Sequence, residues 1–98
     1  MNNIFAYALM FDRDDQLNYK ELHDRLVSLD CIKDWFHYIK SSYILISELP
    51  TAYALDKEVR EILKEKNYLI VAVKLEDIEG WLPNRAWMWI ERQVKLLQ

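Results

Sequence analysis

At 98 residues, with 52% hydrophobic and 30% charged side chains, the chain has the size of one domain, enough apolar content for a core and too little length for a second. A disordered tail is excluded by that composition, and a formal charge of −3 weighs against unspecific binding to nucleic acid, whose phosphates are held by clustered Lys and Arg. Gly80 is the only glycine and Cys31 the only cysteine, which excludes the Walker and dinucleotide phosphate loops and any intrachain disulfide.

The start, Met1-Asn2-Asn3, lacks the basic residues of a secretory signal, and no stretch approaches the ~20 apolar residues of a membrane span, so a cytoplasmic protein is expected. The first apolar run, Ile4 to Phe11, is short, continuous and stopped by Asp12-Arg13-Asp14-Asp15, as expected of a central strand buried on both faces. From Asn18 the spacing becomes helical, with Tyr19, Leu22, Leu26 and Leu29 on one stripe. Asn18 and Glu21 form a capping box, and Leu17 and Leu22 stand where a hydrophobic staple would. Cys31, between Asp30 and Asp34, reads as a packing residue, because neighbouring carboxylates raise a thiol pKa.

Two strands are predicted next, Trp35 to Ile39 and Tyr43 to Leu49, joined by a turn near Ser41-Ser42. The first strand is apolar on both sides, with Trp35, His37 and Ile39 pointing one way and Phe36, Tyr38 and Lys40 the other. Thr51 caps a second helix whose face is Ala52, Leu55, Val59 and Ile62, with Asp56 and Arg60 as an i,i+4 pair. Asn67 to Leu75 is the fourth strand.

The order strand, helix, strand, strand, helix, strand is the split βαβ pattern, an α+β ferredoxin-like βαββαβ fold with a four-stranded antiparallel sheet and both helices on one face. Residues 1–79 form this core. Residues 80–98 turn at Gly80, pass Pro83 and run as a C-terminal helix from about Asn84, with Ala86, Ile90, Val94 and Leu97 on one stripe flanked by Trp87 and Trp89. The sheet face opposite the two helices needs a cover, either this last helix or a second protomer.

The stretches "WFHYIKSSYILISEL" and "NYLIVAVKL", and above all "GWLP" followed by "AWMWI", resemble small bacterial SinR-family proteins of unknown function and, more distantly, the small ferredoxin-like subunit of the CRISPR spacer-acquisition complex. The resemblance implies a defence, toxin-antitoxin or mobile-element setting. It also implies that Asp12, closing the first strand, meets its copy from a second protomer at a shared Mg²⁺ site, as catalytic and metal-binding residue of a nuclease. Phe11 stands where those relatives commonly carry tyrosine.

The residues themselves favour a non-catalytic module acting through homodimerisation and protein contact, with no cofactor, or Mg²⁺ in the nuclease alternative. Trp35, Phe36, His37, Tyr38, Tyr43, Trp87 and Trp89 are the candidate interface residues, large aromatic anchors without a chemical constellation. Asp12, Asp14 and Asp15 read as turn formers, His37 as a packed histidine, and His23 has no second ligand at metal spacing. Base stacking by Trp35, Phe36, Tyr38 and Tyr43 is disfavoured by the acidic balance and the missing K/R-G-F/Y signature. An acidic mimic of nucleic acid rests on charge alone.

Overall fold

The computed structural model describes residues 3–12, 18–64 and 66–97. Four strands and three helices follow in the order β1 (Phe5–Phe11), α1 (Tyr19–Val27), β2 (Ile32–Phe36), β3 (Ser42–Ser47), α2 (Ala52–Val59), β4 (Tyr68–Ala72), a short 3-10 turn (Leu75–Asp77) and α3 (Asn84–Leu97). The strands form one antiparallel sheet in the order β2-β3-β1-β4, so β1 lies inside it as its apolar run requires.

Period-2 alternation sorts the side chains of this sheet onto two faces. Tyr7, Leu9 and Phe11 of β1 and Tyr43 and Leu45 of β3 point to one side, where Leu22 and Leu26 of α1 and Leu55 and Val59 of α2 pack on them. Each fully buried side chain of this size stabilises the fold by about 1.5–3 kcal/mol. Both helices start at the predicted caps: the Asn18 side chain accepts from the Glu21 N–H at 3.1 Å, and Thr51 Oγ1 accepts from the Ala54 N–H at 3.0 Å. Leu17 of the expected staple, like Arg13, Asp14 and Asp15, lies outside the described residues. The Tyr7 hydroxyl donates to the Leu49 carbonyl at 2.7 Å and ties the central strand to the approach of α2.

On the reverse face Ala6 and Ile46 pack with Leu75, and Trp89, Val94 and Leu97 of α3 lie against them. The last helix therefore covers this part of the reverse face. Its docking is fixed at the edge strand, where Trp89 stacks on Phe36 with ring centroids 5.4 Å apart. Beside that stack, Gln93 Nε2 donates to Asp34 Oδ2 at 2.7 Å and Trp89 Nε1 donates to Asp34 Oδ1 at 3.3 Å.

Three strand boundaries differ from the sequence reading, each for a local reason. β2 covers Ile32–Phe36 instead of Trp35 to Ile39, because a bulge at Lys33 resets the alternation. Ile32 pairs with Ser47 and Trp35 with Leu45; the extra residue lets both point to the α1 side, while Asp34 and Phe36 face α3. The strand stops at Phe36 and the chain turns: His37 Nδ1–H donates to the Ser42 carbonyl at 2.9 Å, and the Ser42 N–H donates to the Ile39 carbonyl at 3.0 Å. β3 ends at Ser47, whose Oγ accepts from the Leu49 N–H at 3.1 Å. β4 ends at Ala72 instead of Leu75, because Leu75 turns into the 3-10 segment and is buried beneath α3. β1 is also not covered on both faces along its length: at its C-terminal end Met10 stays 40% exposed on the reverse side.

Candidate interaction surface

Helix α3 covers one half of the reverse face and leaves the other bare. Met10 pairs across the ladders with Ser42 on one side and Leu69 on the other, and Ala8 pairs with Ile44 and Val71. Met10, Leu69 and Val71 are exposed there, Leu69 to 58%. The strip continues through Ser42 and Ile44 into a cleft of about 230 Å³ between the β2–β3 turn, the loop before α3, and Ile90. Phe36, Tyr38, Ile39 and Ile78 line it, and Trp81 and Leu82 stand on its far wall. Trp81 is 97% exposed, the least covered large hydrophobic side chain of the described residues. Arg85 on the first turn of α3 lies over the Tyr38 ring at 5.2 Å and holds that wall of the cleft.

The candidate interface residues divide into two groups. Trp35 and Tyr38 keep exposed surface, and Tyr38 lies in the cleft. Tyr43 is 2% exposed, and its surface is taken up inside the chain. Phe36 and Trp89 cover each other, and Trp87 is half-buried. Sequence reasoning missed Ile78 and Leu82 as lining residues, whereas Trp81, with Trp87 and Trp89, already reads in the sequence as a large apolar anchor of a core or partner interface. The signal was the pair Trp81-Leu82 between Gly80 and Pro83, apolar bulk in a segment that cannot pair as strand.

On the helix face a second aromatic group closes the sheet beside α1. Tyr43 shares a 2.7 Å hydrogen bond with His23 Nδ1 and stacks on His37 with centroids 4.0 Å apart, while the edge of His23 meets Trp35 at 4.8 Å. Burial, then the charge of Asp24, pushes the Tyr43 phenol up to about 12, so it stays protonated as a packed hydrogen-bonding group. His37 is packed against Tyr43 and bonded to backbone, as a structural histidine is. Cys31 is buried, and its thiol is pushed up by burial first and by the charge of Glu58 next, which is packing chemistry; the carboxylates concerned are Glu58 and Glu48 in place of the sequence neighbours Asp30 and Asp34.

Asp12 closes β1 at the rim of the bare half, exposed, with its backbone N–H donating to the Asn67 carbonyl at 3.0 Å and the Asn67 amide donating to its Oδ2 at 3.1 Å. Among the described residues no three His, Cys, Asp or Glu side chains gather to hold a metal ion. One carboxylate with an amide donor upon it does not by itself fit Mg²⁺, which takes oxygen ligands in a near-octahedral shell.

The chain matches no family model, no curated protein and no solved structure. Among the described residues no helix is long and apolar enough to cross a membrane.

Proposed function

We propose that this chain is a cytoplasmic, non-catalytic ferredoxin-like module that works by association, with a second copy of itself and with a protein partner seated in the cleft beside Trp81. The strand order read from the other edge, β4-β1-β3-β2, with α1 and α2 on one face, supports the ferredoxin-like reading. The observation that carries the functional reading is the bare half of the sheet with its adjoining cleft. Tyr38, Ile39, Trp81, Met10, Leu69 and Val71 together leave on the order of 600 Å² of side chain in water, at the top of what a monomer tolerates and near the ~800 Å² each partner contributes to a standard interface. The defence, toxin-antitoxin or mobile-element setting comes from the resemblance carried by "GWLP" and "AWMWI".

Light scattering coupled to size exclusion, at micromolar concentrations, tests the self-association: a dimer is expected, and a strictly monomeric species refutes it. The nuclease alternative is favoured by one placement, that of Asp12 at the rim of the bare half, where a two-fold copy would bring a second carboxylate. Incubating RNA and DNA with Mg²⁺ or Mn²⁺ decides between the readings. The association reading expects no cleavage; cleavage that disappears in Asp12→Ala would replace it with the nuclease.

A further inference from the structure

The sheet has two outer edges, and they are built differently. The β2 edge carries the bulge at Lys33, and Asp34 beside it is engaged by α3. Bulges and charges are the usual means by which an edge strand is kept from pairing. The β4 edge carries neither: Tyr68-Leu69-Ile70-Val71-Ala72 has no charge, proline or glycine. Among the described residues β4 pairs with β1 alone.

Two hydrogen bonds fix which backbone groups of β4 face outward. Asn67 accepts from the Asp12 N–H at 3.0 Å, and the Val73 N–H donates to Ala6 at 3.0 Å. Antiparallel alternation then turns the groups of Leu69 and Val71 toward β1, and those of Tyr68, Ile70 and Ala72 away from it. A groove between α2 and β4, lined by Ala52, Tyr53, Asp56, Tyr68, Leu69 and Ile70, runs beside this outward row.

We infer that the second copy of the chain joins at this edge, β4 against β4 in antiparallel register about a two-fold axis at Ile70, merging two four-stranded sheets into one of eight. The inference rests on the self-association proposed above and names its seam. At that register Tyr68 faces Ala72 of the copy, large beside small, Leu69 faces Val71, and Ile70 meets Ile70, so every cross-strand pair is apolar. The outward N–H and C=O groups of Tyr68, Ile70 and Ala72 then supply on the order of six hydrogen bonds.

The length of the strand selects this register, the one in which all five residues of β4 are matched by β4 of the copy. Lys66 and Lys74 of the two copies meet only beyond the ends of the paired strands. A slip of two residues one way sets Lys66 opposite Ala72, and a slip the other way sets Lys74 opposite Tyr68, drawing a lysine into the apolar ladder. The bare strips of the two copies become continuous across the seam through Leu69 and Val71, which doubles the surface offered to a partner on one side of the joined sheet.

The test uses the full chain. Ala72→Pro removes an outward N–H and leaves the bonds of Val71 and Val73 to β1 in place. It is expected to weaken dimerisation by at least about tenfold in sedimentation or light scattering, with unchanged far-ultraviolet circular dichroism. Leu69→Lys, an exposed position, serves as the second variant and is expected to do the same by setting a charge against Val71 of the copy. In the wild type, amide exchange at Tyr68, Ile70 and Ala72 should slow as protein concentration rises. A wild-type dimer in which those three amides exchange independently of concentration, and which Ala72→Pro forms as tightly, overturns the β4 seam and leaves self-association standing. A wild type that stays monomeric overturns both.

Discussion

The docking of α3 depends on one carboxylate, and its removal has a calculable effect. In Asp34→Ala, Gln93 loses its 2.7 Å acceptor and Trp89 its 3.3 Å acceptor. Gln93 is only 2% exposed, so water does not replace what it loses. Leaving a buried donor unpaired costs about 1–3 kcal/mol, and a hydrogen bond to a charged group contributes about 1.5–3 kcal/mol. A total near 3 kcal/mol is expected, because the two costs overlap at the same amide. With a urea m-value of about 1.5 kcal/mol/M for a chain of this length, the unfolding midpoint should fall by about 2 M. The companion change Gln93→Leu removes the donor instead. Combined with Asp34→Ala it leaves no orphaned amide, so the double variant should be more stable than the sum of the single effects predicts, by about 1–2 kcal/mol. Urea unfolding followed by tryptophan fluorescence measures all four corners of this cycle. A loss below about 0.5 kcal/mol in Asp34→Ala, or strict additivity in the cycle, would refute the assignment of Asp34 as the anchor of α3.

Three further outcomes follow from the same structure. The Tyr68 hydroxyl first, and the Arg60 guanidinium next, donate to Asp56 and hold its carboxyl below the ordinary carboxylate value. A depressed folded value means that this contribution is complete above the unfolded pKa of about 3.9 and is lost as pH falls through the folded one, so Asp56→Asn should flatten the acid limb of stability below about pH 4. Tyr43, pushed up to about 12, makes the opposite contribution: its support for the fold is full below pH ~10 and is lost as pH rises from there toward 12. An ultraviolet difference titration should show the last tyrosine to ionise disappearing in Tyr43→Phe. Trp81→Ala, at a position 97% exposed, should change stability by less than about 0.5 kcal/mol while abolishing capture of a cleft-bound partner, and a larger destabilisation would mean that the side chain packs in solution.

How much of this was legible depends on whether a feature is local. The caps Asn18 and Thr51 and the apolar run of β1 are written in consecutive residues, and they stand where the pattern puts them. The bulge at Lys33 was hidden because its cause is the partner strand: only when Ser47 and Ile46 are set opposite Ile32 and Asp34 does the extra residue become visible. Neither Asp34 nor Gln93 stands out in the sequence, since polarity ordinarily means exposure. Gln93 nevertheless occupies the stripe position three residues after Ile90, and a polar residue on an apolar stripe is the sign of a buried partner. The cleft was illegible for a different reason. Its walls come from residues 36–44, 78–82 and Ile90, segments with no common pattern until the sheet brings them together.

The central position of β1 sets the pace of assembly as well as its result. Only the β2–β3 hairpin joins neighbours in the chain; β1 must find β3 across α1 and β2, and β4 from the far side of α2. Loop closure of that length is entropically slow, so β4 should be among the last strands to arrive. Until it does, β1 itself is the open strand, and half-assembled chains that meet in this interval present Phe5–Phe11 to one another. Refolding from denaturant should accordingly lose yield as chain concentration rises, even where the finished protein keeps well in solution.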